Sequence, residues 1–139
     1  MKAWVLDASA LAGALLDPPG YTAVLDLLDD EEAEVAVPHL VDVEVLSVLR
    51  RVVRLGEAHP DRARQALAIH LELPLRRFDH TAVAARAFAL RDNFSAYDAV
   101  YVALAEGLAA PLVTADARLA RAVRRWTAVE VVEIGRRLA

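Results

Sequence analysis

Cysteine is absent from this 139-residue sequence, and lysine nearly so, because Lys2 is the only lysine among 16 basic residues. A chain without cysteine has no disulfide framework and no thiolate metal site, which suits the cytoplasm. No apolar run approaches the ~20 residues that span a bilayer. A carboxylate at Asp7 comes too early for a signal peptide. We therefore expect a cytoplasmic protein that does not enter a membrane.

Several catalytic signatures are also missing. The sequence contains no G-x-x-x-x-G-K-[ST], G-x-G-x-x-G or G-x-S-x-G motif, which argues against nucleotide-dependent and serine-hydrolase chemistry. The histidines have no metal-ligand spacing. We interpret all four as surface or turn residues: His39, His59, His70 and His80.

Charge gives a mixed signal about partners. The net charge of −4 counts mildly against a nucleic-acid ligand. Arginine nevertheless occurs in clusters, and arginine binds phosphate through two parallel hydrogen bonds. Solvated helix faces and helix C-termini, where cations are favoured, are the simpler explanation of any single cluster. The clusters are 50, 51 and 54; 76 and 77; 118, 121, 124 and 125; and 136 and 137.

Short apolar runs alternate with longer amphipathic segments along the whole chain. Strands are predicted at 4–6, 35–37, 73–76, 112–114 and 129–132, and helices at 7–16, 21–29, 39–55, 60–70, 79–91, 95–108 and 116–125. Pro74 would place the third strand at a sheet edge. This alternation predicts one α/β domain over residues 1–139, with a mainly parallel sheet of about five short strands and helices on both faces.

Four carboxylates occupy equivalent places in this scheme. Asp7 and Asp116 follow predicted strands, Asp98 opens a buried helix three residues after the cap Ser95, and Glu44 lies early in a helix that follows a strand. The carboxyl ends of parallel strands meet at one sheet edge, where sites are built. Acidic oxygens without histidine or cysteine select Mg²⁺ or Mn²⁺, which supports phosphodiester hydrolysis.

Each acid also has a simpler explanation. Asp7, Asp98 and Asp116 suit helix caps or first-turn partners of the helix dipole, and Glu44 suits a surface ion pair. Asp42 falls inside the apolar arc of the same helix as Glu44, so it is either exposed by fraying or held in a polar niche. Residue spacing alone leaves both interpretations open.

Four segments in order resemble the PIN-domain family, and most closely its VapC-type toxin ribonucleases from bacterial toxin–antitoxin pairs. They are Val-Leu-Asp-Ala-Ser-Ala-Leu (5–11), Val-Pro-His-Leu-Val-Asp-Val-Glu-Val-Leu-Ser-Val-Leu-Arg-Arg (37–51), Tyr-Asp-Ala-Val-Tyr-Val-Ala-Leu-Ala (97–105) and Leu-Val-Thr-Ala-Asp-Ala-Arg-Leu (112–119). Each motif is weak alone. The four motifs occur in order at these spacings, and the resemblance covers essentially the whole chain.

The resemblance implies an endoribonuclease that depends on Mg²⁺ or Mn²⁺ and cuts structured RNA such as tRNA or rRNA. It implies a homodimer and a cognate antitoxin that blocks the site. The family's acidic ligands fall on Asp7, Glu44, Asp98 and Asp116, with Asp42 as a candidate to assist or replace Glu44. Supporting hydroxyls fall on Ser9 and Thr114. Flanking arginines for RNA would be Arg118, Arg121 and Arg125.

Two other classes stay open at this stage. A phospho-accepting signalling domain would need paired acids after the first strand and a lysine near the site, whereas this chain has a single Asp7 and only Lys2. A catalytically silent member that acts only as a binding partner is compatible with every motif. Loss of metal binding with a retained partner complex would identify it.

Overall fold

The five strands form a single sheet in the computed structural model, which describes residues 1–135. The strand order is β3-β2-β1-β4-β5 and every neighbouring pair is parallel. The predicted α/β class is confirmed, and Pro74 precedes an edge strand as expected. The strands are β1 (Lys2–Leu6), β2 (Ala33–Pro38), β3 (Leu75–Phe78), β4 (Leu112–Thr114) and β5 (Val131–Glu133).

Seven α-helices connect the strands within residues 1–135. They are α1 (Ala8–Leu16), α2 (Thr22–Asp29), α3 (Leu40–Arg54), α4 (Pro60–Glu72), α5 (Ala84–Ala89), α6 (Ala96–Leu108) and α7 (Ala117–Trp126). The helix predicted over 79–91 is divided, because Asp79 caps a 3₁₀ turn, His80–Ala82, that ends at Val83 with φ −117°. Residues 136–139, with the end of the predicted tail and the 136–137 arginine cluster, lie outside the described residues.

Central strands are covered on both faces. Val5 and Leu6 in β1, and Ala36 and Val37 in β2, are all 0% exposed. Because successive strand residues point to opposite faces, helices must pack on each side. No helix in the part of the chain that the structure describes is both long and apolar enough to cross a bilayer.

Parallel strands bring three chain reversals to the same edge. Asp7 directly follows β1, α3 begins two residues after β2, and Asp116 lies two residues beyond β4. The backbone N–H of Asp7 donates to the carbonyl of Val113 at 3.2 Å, so the ends of β1 and β4 are held side by side. This edge therefore receives the residues that the sequence singles out.

A charged cluster fixes the first turn of α3. Arg77 donates from Nε and Nη2 to the two carboxylate oxygens of Asp42, both at 2.8 Å, and Nε2 of His70 lies 2.7 Å from Oδ1. The hydrogen bond from Arg77 is the main reason that the pKa of Asp42 lies below its usual value. The cluster joins α3 to β3 and α4, so Asp42 occupies the polar niche that was one of its two predicted environments.

His70 corrects a prediction. Its side chain is 0% exposed, whereas we expected a surface or turn residue. The imidazole is tolerated inside because Asp42 partners one ring nitrogen. The other nitrogen, Nδ1, has no hydrogen-bond partner within residues 1–135.

Arg77→Met should destabilise the fold by roughly 1–2 kcal/mol, because it leaves the half-buried Asp42 carboxylate without its bidentate partner. Arg76→Met is the matched control, since Arg76 lies next to it on β3 and pairs with Glu34 at the surface, with its own side chain 62% exposed. That variant should stay within about 0.5 kcal/mol of wild type. Urea unfolding of all three proteins measures the difference. Equal losses in the two variants would contradict the structural role of the cluster.

Candidate active site

All four predicted carboxylates line one cleft of about 560 Å³ at the carboxyl edge of the sheet. Each arrives on a separate element: Asp7 after β1, Glu44 on α3, Asp98 on α6 and Asp116 before α7. Residues spread over most of the chain therefore meet in one place. Their roles as ligands remain a prediction.

Asp7 is the most buried of the four, with 6% of its surface exposed. Its Oδ1 accepts from Ser9 Oγ at 2.7 Å and from the backbone N–H of Ala10 at 3.0 Å, while Oδ2 accepts from Thr114 Oγ1. Burial raises the pKa of Asp7 to about 6, against the opposing effect of these hydrogen bonds, and the Asp116 charge raises it further. Asp7 is therefore held rigidly in an environment that resists its ionisation.

The two hydroxyl residues connect the first and last carboxylates. Ser9 Oγ accepts from the N–H of Ala115 at 3.0 Å, and Thr114 Oγ1 accepts from the N–H of Asp116 at 3.0 Å. Both hydroxyls donate to Asp7. Thr114 thus supports the last aspartate through its backbone, and both hydroxyls also support the first.

Glu44 and Asp98 are the partly buried carboxylates that α3 and α6 bring to the cleft. Burial is the main cause of a raised pKa in both. Asp116 raises the pKa of Asp98 further and Arg118 opposes it, while Asp98 adds to the raised pKa of Glu44. The cleft therefore concentrates negative charge where water is partly excluded.

Tyr101 is a cleft residue that the sequence did not indicate as functional. It lies on α6 one turn after Asp98, and only 1% of it is exposed. Its hydroxyl lies close to Glu44 and partly opposes the burial that raises the pKa of that carboxyl. No hydrogen bond of ordinary geometry joins the two groups in the described chain. Burial raises the pKa of Tyr101, so the phenol stays protonated and can donate. The i, i+3 spacing from Asp98 was the available signal.

Capping does not compete with a functional role. Asp116 caps α7 through Oδ1, which accepts from the N–H groups of Arg118 at 2.9 Å and Leu119 at 3.1 Å. Its Oδ2 has no hydrogen bond among residues 1–135 and remains available in the cleft. The helix that carries Asp98 is capped by Ser95, whose Oγ accepts from the backbone N–H of Asp98 at 3.1 Å. The same acids can therefore start helices and face a ligand.

The donor set of the cleft fits a hard divalent cation. It offers carboxylate and hydroxyl oxygens without a thiolate or imidazole, as Mg²⁺ and Mn²⁺ prefer. A cation would also relieve the repulsion that raises the pKa values of Asp98 and Glu44. In the part of the chain that the structure describes, no three acidic or imidazole groups already surround an ion position. Binding would therefore include rotation of these side chains.

Asp42 does not belong to this site. The carboxylate is occupied by Arg77 and His70, and the residue does not line the cleft. Of the two acids on α3, only Glu44 reaches it. The geometry favours Glu44 as the candidate ligand and gives Asp42 a structural role.

A second cleft of about 380 Å³ opens beside the first and carries arginine. Arg118 and Arg121 line it as expected, but Arg125 does not, because its guanidinium lies 4.7 Å from the ring centroid of Trp126. Arg51, which belongs to the arginine cluster at 50, 51 and 54, lines both clefts. Its position seven residues after Glu44, on the same side of α3, was the signal for it.

Asp7→Asn should be more stable than wild type at about pH 8 in EDTA, by roughly 2–3 kcal/mol at most. The pKa of Asp7 is raised from 3.8 to about 6 on folding. The stability that Asp7 contributes is therefore fully present at pH values below its pKa in the unfolded chain, and it is lost as the pH rises through about 6. Asparagine does not ionise and caps a helix as well as aspartate does.

Urea unfolding from about pH 5 to pH 8 tests this prediction. The advantage of Asp7→Asn should shrink as the pH falls below about 6, where wild-type Asp7 becomes protonated. Asp26→Asn on α2 is the control, because Asp26 is exposed and outside both clefts. Parallel pH profiles for wild type and Asp7→Asn would show that burial does not penalise the Asp7 charge.

The fold and the cleft define a class: a parallel α/β domain with an acid-lined site at the carboxyl edge of its sheet. Within that class, the chain belongs to the PIN-domain family, whose model matches residues 4–125. The resemblance stated from the four sequence motifs is thus confirmed.

Two curated relatives cover most of the chain. Ribonuclease VapC9 of Mycobacterium tuberculosis is 42% identical over 115 residues, which are 83% of this chain and 87% of the relative. Ribonuclease VapC12 of the same organism is 37% identical over 128 residues, which are 92% of this chain and 98% of the relative. Among solved structures, VapBC2 from Rickettsia felis, bound to a DNA fragment from its promoter, has a TM-score of 0.70 at 18% identity. That match covers 94% of this chain and 98% of the other, and shows a shared fold.

Proposed function

We propose that this protein is an Mg²⁺- or Mn²⁺-dependent endoribonuclease that acts in the cytoplasm as the toxin of a type II toxin–antitoxin system. The observation that carries the proposal is the convergence of Asp7, Glu44, Asp98 and Asp116 in one cleft. The ribonuclease relatives VapC9 and VapC12 support the nuclease activity.

The four carboxylates divide the work by their surroundings. Asp7 is immobilised by Ser9 and Thr114 and serves as the fixed ligand. Asp98, Asp116 and Glu44 are more exposed and adjust around the ion and the RNA. A bound divalent cation would polarise a phosphoryl oxygen and lower the pKa of an attacking water.

The protonated phenol of Tyr101 lies close to Glu44 and is available to donate to its carboxylate from inside the protein. The hydroxyls of Ser9 and Thr114 fix the position of Asp7 and resist its displacement when charge changes in the cleft. These groups act before any ion binds, so the cleft is partly organised by the fold alone. Such supporting contacts typically contribute 10–100-fold in metal affinity or activity, in order of magnitude.

Substrate and partners follow from the family. We propose structured cellular RNA, such as tRNA or rRNA, as the substrate, a cognate antitoxin that blocks the cleft, and a homodimer. The fold shared with VapBC2 supports an antitoxin partner. Exposed apolar side chains beside the cleft, Val43 at 63% and Tyr97 at 62%, supply surface for such contacts.

Asp98→Asn should abolish RNA cleavage, with a loss greater than the roughly 100-fold typical of outer-shell partners, and should leave the fold intact. The same substitution should remove Mn²⁺ binding in calorimetry, because it deletes one negative charge and one ligand from the site. Cleavage is measured on total cellular RNA with Mg²⁺ or Mn²⁺, and folding by circular dichroism.

Asp26→Asn is again the matched control and should bind Mn²⁺ and cleave as wild type does. Undiminished cleavage by Asp98→Asn would refute the proposed site. A folded wild type that neither binds Mn²⁺ nor cleaves RNA would identify the chain as a silent PIN domain that acts only through its protein partner.

A further inference from the structure

Three arginines from two helices face one cavity that adjoins the acidic cleft. We call it the arginine pocket and define it by Arg51 on α3 and by Arg118 and Arg121 on α7. The two cavities share a wall, because Ser9, Val48, Arg51 and Asp116 line both. A ligand group in the pocket is therefore a direct neighbour of a group bound at the carboxylates.

The guanidinium groups of the pocket are uncommitted. Among the described residues, Arg51, Arg118 and Arg121 form no ion pair and no side-chain hydrogen bond. Five other arginines of the described chain do pair with acids at 4.0 Å or less: Arg64, Arg76, Arg77, Arg86 and Arg124. Three guanidinium groups and one carboxylate, Asp116, line this cavity, so its lining carries an excess of positive charge. The pocket is therefore suited to an anionic ligand.

Guanidinium chemistry narrows the choice of anion. The planar donors of arginine match phosphate oxygens through two parallel hydrogen bonds. In a nucleic-acid strand, consecutive phosphates are covalently linked, so a strand with one phosphate at the carboxylates must place the next one nearby. The arginine pocket adjoins the carboxylate cleft and therefore offers a place for that next phosphate.

We propose that Arg51, Arg118 and Arg121 bind the RNA backbone phosphate that adjoins the scissile bond. This inference rests on the proposed function for its scissile bond, but its binding step is independent of cleavage. Arg51 lines both cavities, so it contacts the strand where it passes from one to the other. The pocket recognises backbone, so its contribution is the same for different RNA sequences.

Salt dependence of binding tests the proposal. The probe is a fluorescein-labelled 2′-O-methyl U₁₀ single strand, titrated with the full-length protein in Mg²⁺ by fluorescence anisotropy and checked for integrity by gel electrophoresis afterwards. Arg51→Gln and Arg121→Gln should each weaken binding roughly tenfold. Each should also reduce the slope of log K against log salt by about 0.7, the value for one lost phosphate contact on a single strand.

Arg50→Gln is the matched control. Arg50 precedes Arg51 on α3, is exposed, lines neither cavity and has no ion-pair partner among the described residues. This variant should keep the wild-type affinity and salt slope. A slope reduced equally in all three variants would show general electrostatic attraction to the protein surface. It would contradict the proposed binding of phosphate in the arginine pocket.

Two further outcomes would also overturn the proposal. One is wild-type affinity and slope for U₁₀ in both Arg51→Gln and Arg121→Gln. The other is unchanged U₁₀ binding with lost binding of a labelled Glu₁₀ peptide, which would assign the pocket to an acidic segment of a protein partner. Asp98→Asn separates this inference from the proposed function. Loss of cleavage and of Mn²⁺ binding in this variant reports on the carboxylates, whereas the salt slope of U₁₀ binding reports on the arginines.

Discussion

The burial of several carboxylates at one sheet edge, to which repulsion between them adds, is the constraint on which the rest of this structure depends. Burial and neighbouring charge disfavour ionisation of Asp7, Glu44 and Asp98. The fold offsets this cost locally. Helix N-termini, backbone N–H groups and the hydroxyls of Ser9 and Thr114 all donate toward the acids. What remains unbalanced is negative charge that a cation can neutralise.

The scaffold achieves this by giving the same residues two roles. A parallel sheet requires a helix to begin near each strand end, and aspartate is among the best residues to begin one. Asp116 uses one oxygen for its helix and leaves the other free in the cleft. The cluster of Asp42, Arg77 and His70 fixes the start of α3, and so the position from which Glu44 enters the site.

The local arrangement of charged residues in this protein differs from what its net charge suggests. The chain is acidic overall, yet three arginines without an ion-pair partner among the described residues lie directly beside its acid-lined cleft. Net charge describes long-range attraction, whereas recognition depends on which charges lack partners. This distinction makes an acidic composition compatible with the proposed nucleic-acid substrate.

The sequence by itself determined the alternation of strands and helices, the parallel sheet, the caps and the four candidate acids, because each depends on neighbours within one or two helical turns. Only the tertiary structure decided that His70 is buried, that Asp42 serves the scaffold and that Arg51, but not Arg125, reaches a cleft. Those outcomes depend on contacts between residues far apart in the chain. Hydrophobic periodicity shows which face of a helix is buried, but it does not show which side chain will meet a partner from another element.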